Sequence, residues 1–201
     1  YLKLDGKIDL QGKAQLIQTA NSDLDPASIG NLERDQQGQN NVYNYNYWGS
    51  PVGAINNTTN NNAFNLLNNM KDGTNPASIQ SINWTESTYE GDASTSPITM
   101  ASYWIFKFQN LANDYANWSN VGPYGDLLPG EGYTLKGSGA ATATQNYTFI
   151  GKPNNGDISI PIAANNLNLA GNPYSSAIDA REFILNNLDS LNGTLYFWEH
   201  F

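Results

Sequence analysis

The sequence contains no cysteine, one histidine and only nine lysine plus arginine residues in 201. Without cysteine the chain can form no disulfide, no thiolate metal site and no cysteine nucleophile. Eighteen acidic residues bring the net charge to -9, so the phosphate backbone of a nucleic acid would be repelled. No apolar run approaches the ~20 residues that a membrane-spanning helix needs. We therefore predict neither nucleic-acid binding nor membrane insertion.

Neutral polar and aromatic residues are abundant instead. Asparagine occurs 30 times, aromatic residues make up 12% of the chain, and only 13% of residues are charged. A disordered polar chain would lack these aromatic residues, so we predict a folded protein with a core. Amide-rich, cysteine-free composition with many aromatics suits an extracellular β-protein.

The N-terminal part contains a six-residue repeat, in which Leu4-Asp-Gly-Lys-Ile-Asp is followed by Leu10-Gln-Gly-Lys-Ala-Gln. Apolar residues occupy even positions from Leu2 to Leu16, which is the periodicity of a strand. Two interpretations stay open: a single hairpin or long strand, and the last coil of a β-solenoid. Residues 21–41 are polar and rich in turn-forming residues, so we interpret them as a loop or boundary.

The rest of the chain predicts many short strands separated by Gly, Pro and Asn turns. The predicted strands cover residues 43–47, 79–84, 100–108, 115–121, 132–136, 146–150, 158–162 and 167–171. This pattern is typical of an antiparallel β-sandwich or jelly-roll-like domain. We therefore predict an all-β fold with two parts, a β-solenoid-like repeat and polar loop at residues 1–40 and a sandwich domain at residues 41–201.

One short helix is predicted near the C-terminal end. Ser175 or Ser176 would cap it, Asp179 and Glu182 would lie in its first turns, and Ile178 to Leu188 would supply an apolar face. We expect that face to be buried, with the segment from residue 171 onward forming the surface on which the strands pack.

Six phrases along the chain carry a resemblance to a group of known proteins. They are Tyr47-Trp48-Gly-Ser-Pro-Val52, Tyr103-Trp104-Ile-Phe106, Pro129-Gly-Glu-Gly-Tyr-Thr-Leu-Lys136, Gly151-Lys-Pro-Asn-Asn-Gly-Asp157, Gly171-Asn-Pro-Tyr174 and Gly193-Thr-Leu-Tyr-Phe-Trp-Glu-His200. Together they resemble a module of large secreted or surface-displayed proteins of Flavobacteria and related Bacteroidota, which often end in a type IX secretion sorting domain. The resemblance implies an extracellular or cell-surface location and an adhesive or matrix role.

The chain departs from that pattern at its C-terminal end. Members of the group usually continue past the Trp-Glu-His phrase into a Gly-rich stretch and further strands, and the sorting domain is absent here. We therefore expect a portion of a longer protein, with a sandwich domain that is incomplete at its C-terminal end. Its partners would be copies of itself or neighbouring domains, because unpaired strand edges recruit other strands.

Catalytic chemistry has few candidates in this sequence. Glu131 and Glu199 are the carboxylates best placed for glycan hydrolysis, but each has an ordinary structural explanation in a turn or an ion pair. His200 is the only histidine, so a multi-histidine metal site is excluded and a Ser-His-Asp triad would depend on it. We predict that the protein is not an enzyme, and a glycosidase or lyase is the third hypothesis.

Binding chemistry has more candidates. Exposed aromatic rings beside amides stack on sugars, and Trp84, Trp118 and Tyr124 lie near predicted loops; the alternative for each is the core. Calcium is a further candidate ligand because four aspartates occupy turns, although ordinary turn hydrogen bonds also explain them: Asp23, Asp25, Asp72 and Asp157. Ser190, in Asp189-Ser190-Leu191, resembles the O-glycosylation triplet of exported Bacteroidota proteins.

Two function classes follow. The first hypothesis is a non-enzymatic structural or adhesive module of an extracellular bacterial protein that assembles with copies of itself. The alternative is a carbohydrate-binding module of a secreted protein that binds polysaccharide. The exposure of the aromatic side chains decides between them.

Overall fold

The computed structural model describes residues 1–19, 21–56, 60–86, 90–108 and 118–197. Within them strands predominate and helices are few, so the predicted β-rich class is confirmed. The strands are β1 (Lys7–Leu10), β2 (Asn31–Gln39), β3 (Tyr45–Trp48), β4 (Met70–Asp72), β5 (Gln80–Ser81), β6 (Asn83–Thr85), β7 (Thr99–Ala101), β8 (Phe106–Phe108), β9 (Trp118–Asn120), β10 (Tyr133–Lys136) and β11 (Thr144–Gly151). The helices are α1 (Leu66–Asn69) and α2 (Ala180–Asn186), with a 3₁₀ turn at Ser102–Trp104.

The described strands form three sheets. The largest has five strands in the order β1-β2-β11-β4-β5, the second has four in the order β3-β10-β8-β9, and β6 pairs with β7. Most pairs are antiparallel, as predicted, but β1–β2 and β6–β7 are parallel. The five-stranded sheet contains strands from both sides of residue 40, where the sequence predicts a boundary. The boundary itself stays a prediction.

Side chains from the two larger sheets meet in one core. The Trp48 ring of β3 lies 5.5 Å from the Tyr147 ring and 5.9 Å from the Phe149 ring, both on β11. Tyr133 and Leu135 of β10 are also fully buried in this cluster. Burial of each such side chain contributes about 1.5–3 kcal/mol, so these contacts are the main source of stability between the sheets.

The segment at residues 21–41 was expected to be a loop, and that expectation is wrong. It contains β2, which has nine residues and pairs with β11 from Leu32 to Gln39. Its charged side chains are satisfied by distant partners. The Glu33 carboxylate accepts from the Lys7 ammonium at 3.0 Å, and the Thr148 hydroxyl donates to Asp35 at 2.5 Å. A polar strand is therefore stable here because each charge has a specific partner.

Two features fix β1 against β2. Residues pair in parallel with an offset of 24, from Lys7 opposite Asn31 to Leu10 opposite Arg34. The Arg34 guanidinium also donates to the carbonyl oxygens of Leu10, Gly12 and Ala14, at 3.2, 3.0 and 2.8 Å. The chain that follows β1 is thereby tied to β2.

A buried lysine ties the end of β11 to the turn before β2. The Lys152 side chain is fully buried, and its ammonium donates to the carbonyl oxygen of Ser28 at 2.9 Å and to that of Gly30. Burial lowers the pKa of Lys152, because the charged form is poorly solvated there. The carbonyl partners compensate part of that cost.

The C-terminal segment differs from the prediction. Residues 158–162 and 167–171 were expected to be strands, but the structure has no strand there and only an isolated bridge between Ala170 and Glu131. Alternation alone is not enough, since a strand also needs a neighbour along its length. Asn165 has a positive φ of 58°, which breaks the extended path between the two stretches.

The predicted helix forms, but its cap and its burial differ from the prediction. Asp179, not Ser175 or Ser176, is the N-cap, and its carboxylate accepts from two backbone amides at 2.9 and 3.0 Å. Ser175 instead donates to the Pro51 carbonyl oxygen. No residue of α2 is buried, so the expected buried face and the packing surface built on it are wrong.

Two long predicted strands are divided in the structure. Residues 79–84 split into β5 and β6, which belong to different sheets, and residues 100–108 split at the 3₁₀ turn. Residues 115–117 of another predicted strand lie outside the described residues, and β9 is its described part. No helix in the part of the chain that the structure describes is long and apolar enough to cross a membrane.

Candidate functional site

The outward surface of the four-stranded sheet carries aromatic side chains from every part of the sheet except β10. Residues directly opposite in an antiparallel pair lie on the same face. Trp48 is opposite the buried Tyr133, so alternate residues Tyr45 and Tyr47 point away from the core. On β8 and β9, Phe108 is opposite Trp118. We call the following set the aromatic face: Tyr45, Tyr47, Tyr103, Trp104, Phe106, Phe108 and Trp118.

The rings of the aromatic face contact one another edge to face. The Tyr45 and Trp104 centroids are 6.2 Å apart, those of Tyr103 and Trp104 4.7 Å, and those of Tyr103 and Phe106 5.9 Å. At the other end, Phe108 and Trp118 are 5.4 Å apart. Each such pair contributes about 0.5–1.5 kcal/mol beyond burial. The rings are therefore held in place before any ligand arrives.

A lysine lies on the same surface. Lys136 of β10 is opposite Tyr45, and its ammonium lies 3.6 Å from the Trp104 centroid and 5.6 Å from the Tyr45 centroid. This is a cation–π contact, which holds the side chain over the rings. A positive charge thus accompanies the rings on a protein whose net charge is -9.

Part of the aromatic face is open to solvent. Tyr47 is 36% exposed, Tyr103 49% and Trp118 43%, whereas the other members are half-buried. Burial raises the pKa of Tyr47 and of Tyr45, so both hydroxyl groups stay protonated at neutral pH and can donate hydrogen bonds. The face therefore combines exposed ring surface with hydroxyl donors.

Of the three aromatic residues that the sequence proposes for glycan binding, one lies on this face. Trp118 is there, as the first residue of β9. Trp84 packs against the core, where its indole N–H has no partner among the described residues. Tyr124 is 58% exposed on the turn after β9. Sequence reasoning missed Tyr47 and Tyr103, although both are in the Tyr/Trp-rich phrases that it singled out.

The four aspartates proposed for calcium are not gathered into one site. Asp72 is buried and accepts from the amides of Thr74 and Ile98, both at 2.9 Å. Asp25 accepts from Tyr1 and from the Ala27 amide, and the Tyr1 hydrogen bond lowers its pKa. The residues that the structure describes hold no group of three His, Cys, Asp or Glu side chains suited to a metal ion.

Asp23 and Asp157 are the other two aspartates that the sequence proposes for calcium. The backbone carbonyl of Asp23 accepts from the Leu2 amide at 2.7 Å. Asp157 lies beside Tyr174, where its charge adds to the effect of burial in raising the pKa of Tyr174. Backbone amide hydrogen bonds therefore account for Asp25 and Asp72.

The remaining candidates are placed as follows. Glu131 accepts from the Lys107 ammonium at 3.2 Å and from the Leu128 amide at 2.8 Å, which is the structural role considered for it. Ser190 is exposed on the turn that follows α2. Glu199 and His200 lie outside the described residues.

These observations define a β-rich protein with an exposed, preorganised aromatic surface on one sheet. The chain belongs to the family described as Domain of unknown function (DUF8693), whose model matches residues 1–201. No curated protein and no solved structure matches the chain.

Proposed function

We propose that this protein is a non-enzymatic adhesive module of an extracellular or cell-surface bacterial protein, and that it binds polysaccharide on the aromatic face. The observation that supports this most directly is the placing of seven aromatic residues on the outward surface of one sheet. Sugar rings stack their apolar C–H surfaces on aromatic rings, and tyrosine hydroxyls donate to sugar oxygens. The proposal joins the adhesive hypothesis with its carbohydrate-binding alternative.

The geometry favours a polymer over a small ligand. Between β3 and β9 lie two more strands, and neighbouring strands in a sheet are about 4.8 Å apart, so the face extends over roughly 14 Å. Its exposed members are distributed along that width, with Tyr47 on β3 and Trp118 on β9. A chain of several sugar units could contact both ends at once, which multiplies weak contacts.

We also propose that the two larger sheets form a sandwich and that the N-terminal end forms a solenoid-like coil. Ring contacts between β3 and β11 support a sandwich of the two larger sheets. The parallel pairing of β1 with β2 at an offset of 24 residues supports a solenoid-like coil at the N-terminal end. The bacterial surface location and export by type IX secretion are supported by the sequence resemblance.

Self-assembly is the second candidate, and β1 is the feature that favours it. This strand is the outermost of the five-stranded sheet and, among the described strands, pairs only with β2. An open edge can accept a strand from another copy. However, Lys3 and Asp5 precede β1 and Lys7 and Asp9 lie on it, and such charges discourage pairing at an edge. Polysaccharide binding is therefore the function that the geometry supports better.

Binding to purified polysaccharides tests the proposal. We expect the wild-type chain to be retarded in affinity electrophoresis through gels that contain soluble glucans, mannans or galactans. Trp118→Ala and Tyr103→Ala should each weaken retardation about tenfold, because each removes an exposed ring from the contact surface. Tyr196→Ala is the matched control, since Tyr196 is 75% exposed on the C-terminal segment and should have no effect.

Two outcomes would contradict the proposal. One is the absence of retardation in every polysaccharide, and the other is equal retardation of Trp118→Ala, Tyr103→Ala and wild type. The urea midpoint of each variant shows that the fold is retained, so weaker binding cannot be attributed to unfolding. Size-exclusion chromatography with light scattering tests self-assembly separately.

A further inference from the structure

The aromatic face carries a positive charge that no described carboxylate neutralises. Strands β3, β8, β9 and β10 contain two lysines, Lys107 and Lys136, and no aspartate or glutamate. Lys107 forms an ion pair with Glu131 at 3.2 Å. Lys136 forms no ion pair with any residue that the structure describes. On a chain with 18 acidic and nine basic residues, this sheet therefore leaves one cation without a counter-charge.

The rings hold the Lys136 ammonium in place. It lies 3.6 Å from the Trp104 centroid and 5.6 Å from the Tyr45 centroid, and the side chain is half-buried. The cation–π contact replaces part of the hydration of the ammonium. A partly desolvated cation attracts an anion more strongly than one surrounded by water, because the local dielectric constant is lower. The rings thus fix the position of the charge without neutralising it.

This contact changes what Trp104 offers to a ligand. At 3.6 Å the ammonium touches the indole, so a sugar cannot stack on that side of the ring. Stacking is left to the exposed rings nearby. The Tyr103 centroid is 4.7 Å from that of Trp104. Tyr47 lies two residues along β3 from Tyr45, which is roughly 7 Å in a strand. A polymer stacked on Tyr47 and Tyr103 therefore passes beside the ammonium.

We propose that the polymer bound on the aromatic face is an anionic polysaccharide, and that Lys136 selects it by pairing with a carboxylate or sulfate group next to a stacked sugar. This selectivity rests on the proposed function, because the same surface binds the polymer. Hydrogen bonds from an ammonium to an anionic oxygen are about twice as strong as those between neutral groups. A neutral polysaccharide leaves the Lys136 charge unpaired, so it should bind more weakly.

The chemistry of lysine allows either anion. Its ammonium is a compact charge with three donors on a flexible stem, and it lacks the planar fork of arginine. It therefore pairs with a planar carboxylate and with a tetrahedral sulfate alike. A single-stranded nucleic acid also stacks on aromatic rings, but it needs cations along its backbone. The four strands supply only one lysine without an ion pair to a described residue.

Matched polymers test the selectivity. Soluble glucans, mannans and galactans are each used in unmodified, carboxymethylated and sulfated form, so that the charge changes while the backbone stays the same. Biolayer interferometry on the immobilised polymers gives the Kd at about 0.1 M NaCl, where charges more than ~10 Å apart are largely screened. We expect at least one anionic form to bind the wild type about tenfold more tightly than its unmodified parent. The comparison of carboxymethylated with sulfated forms identifies the anion.

Variants separate the cation from the rings. Lys136→Gln should abolish the preference for the anionic form and leave the Kd for the unmodified polymer within about twofold of the wild type. Lys136→Arg keeps the charge and should keep the preference. Lys13→Gln is the matched control, because it removes one positive charge from an exposed lysine on the chain after β1 and should keep the preference. Trp118→Ala should weaken binding of both forms alike, since it removes a ring and no charge.

Loss of selectivity and loss of polysaccharide binding are separate outcomes. Equal affinity for anionic and unmodified forms, or a preference that survives in Lys136→Gln, overturns selection by Lys136 and leaves polysaccharide binding intact. An equal loss of preference in Lys13→Gln would assign it to the net charge and would also overturn selection by Lys136. Binding to none of the polymers would remove the aromatic face as a sugar site, and the selectivity with it.

Discussion

The two-sheet core and the C-terminal segment 157–197 contain the same kinds of apolar side chains but bury them to different extents. In the core, Leu32 on β2 and Phe149 on β11 have no exposed surface. In the C-terminal segment, Ile178, Leu185 and Leu188 are 43–53% exposed. Hydrophobicity alone therefore does not decide which residues of this protein are inside.

The difference lies in the partners of each element. Strand β11 has β2 on one side and β4 on the other, and its rings contact β3 on the facing sheet. Helix α2 has a well-formed cap but no buried residue. Local hydrogen bonds are enough to form a short helix on the surface, whereas burial requires pairing with parts of the chain that are distant in sequence. Stability should therefore respond strongly to changes in the core and weakly to changes in α2.

Removing a core ring is expected to have the largest effect. Phe149→Ala leaves a cavity between the two sheets and should lower the free energy of unfolding by about 3–5 kcal/mol. Leu188 lies just after α2 and is 53% exposed. Leu188→Ala should therefore change the free energy of unfolding by less than about 0.5 kcal/mol. Urea denaturation measures both. Similar losses for the two variants would show that the C-terminal segment is packed as tightly as the core.

Gly30→Ala is expected to cost about 3 kcal/mol, because the new methyl group would overlap the backbone of Gly6. The two chains meet there without room for a side chain. Gly6→Ala is the matched control, since nothing lies within 4 Å of a methyl group at that position, and it should be neutral or slightly stabilising. Equal urea midpoints for the two variants would contradict the close approach of the chain before β2 to the chain before β1.

Two aspartates allow a closer comparison of the core with the C-terminal segment, because each carboxylate accepts hydrogen bonds from two backbone amides. Asp72 does so in the core, from Thr74 and Ile98, and Asp72→Ala should lower the free energy of unfolding by about 2–3 kcal/mol. Asp179 does so at the exposed start of α2. Asp179→Ala should leave global unfolding unchanged and speed amide exchange within α2 about fivefold. A global loss from Asp179→Ala as large as that from Asp72→Ala would refute the distinction.

Strands were predicted wherever apolar residues alternate, and the prediction succeeded where a neighbouring strand is present to pair with. Residues 132–136 and 146–150 correspond closely to β10 and β11. Strand β2 was missed because its side chains are polar, and the partners that satisfy Glu33 and Asp35 are 26 and 113 residues away. Residues 158–162 alternate equally well but pair with no strand in the part of the chain that the structure describes. Pairing at long range is the information that local pattern lacks.

The cap of α2 shows a different kind of error. The sequence Asp179-Ala-Arg-Glu182 contains the capping signal itself, an aspartate followed three residues later by a glutamate. Two serines upstream provided competing candidates. Ser175 is used elsewhere, because its hydroxyl donates to the Pro51 carbonyl oxygen in the protein interior. This tertiary hydrogen bond makes Ser175 unavailable as the N-cap, which local sequence alone could not show.

For the aromatic face, the sequence shows which residues are aromatic but not which of their side chains point away from the core. The phrases around Tyr47 and Tyr103 are visibly aromatic, yet neighbouring Trp48 is buried and Tyr47 is exposed. Strand alternation decides this only once the register with β10 is known.

A smaller effect than those of the core ring and the buried carboxylate is expected at neutral pH from removing one buried hydroxyl. Tyr133 is fully buried, its hydroxyl has no partner among the described residues, and burial raises its pKa well above the ordinary value. Tyr133→Phe removes that buried, unpartnered hydroxyl and should therefore raise the free energy of unfolding by about 1 kcal/mol at pH 7. Tyr196→Phe, at an exposed position in the C-terminal segment, is the control and should leave stability at pH 7 unchanged.

The same pair of variants should diverge in alkali. The unfolded chain loses the Tyr133 proton from about pH 10, whereas the folded chain keeps it. The contribution of Tyr133 is thus fully present below pH ~10 and declines as the pH rises towards its folded pKa. Between pH ~10 and 11, urea denaturation should show that the free energy of unfolding falls by about 1 kcal/mol less in Tyr133→Phe than in the wild type. An equal fall in the two proteins would mean that water reaches the Tyr133 hydroxyl, so that the core is less closed at β10 than its contacts with Trp48 and β11 imply.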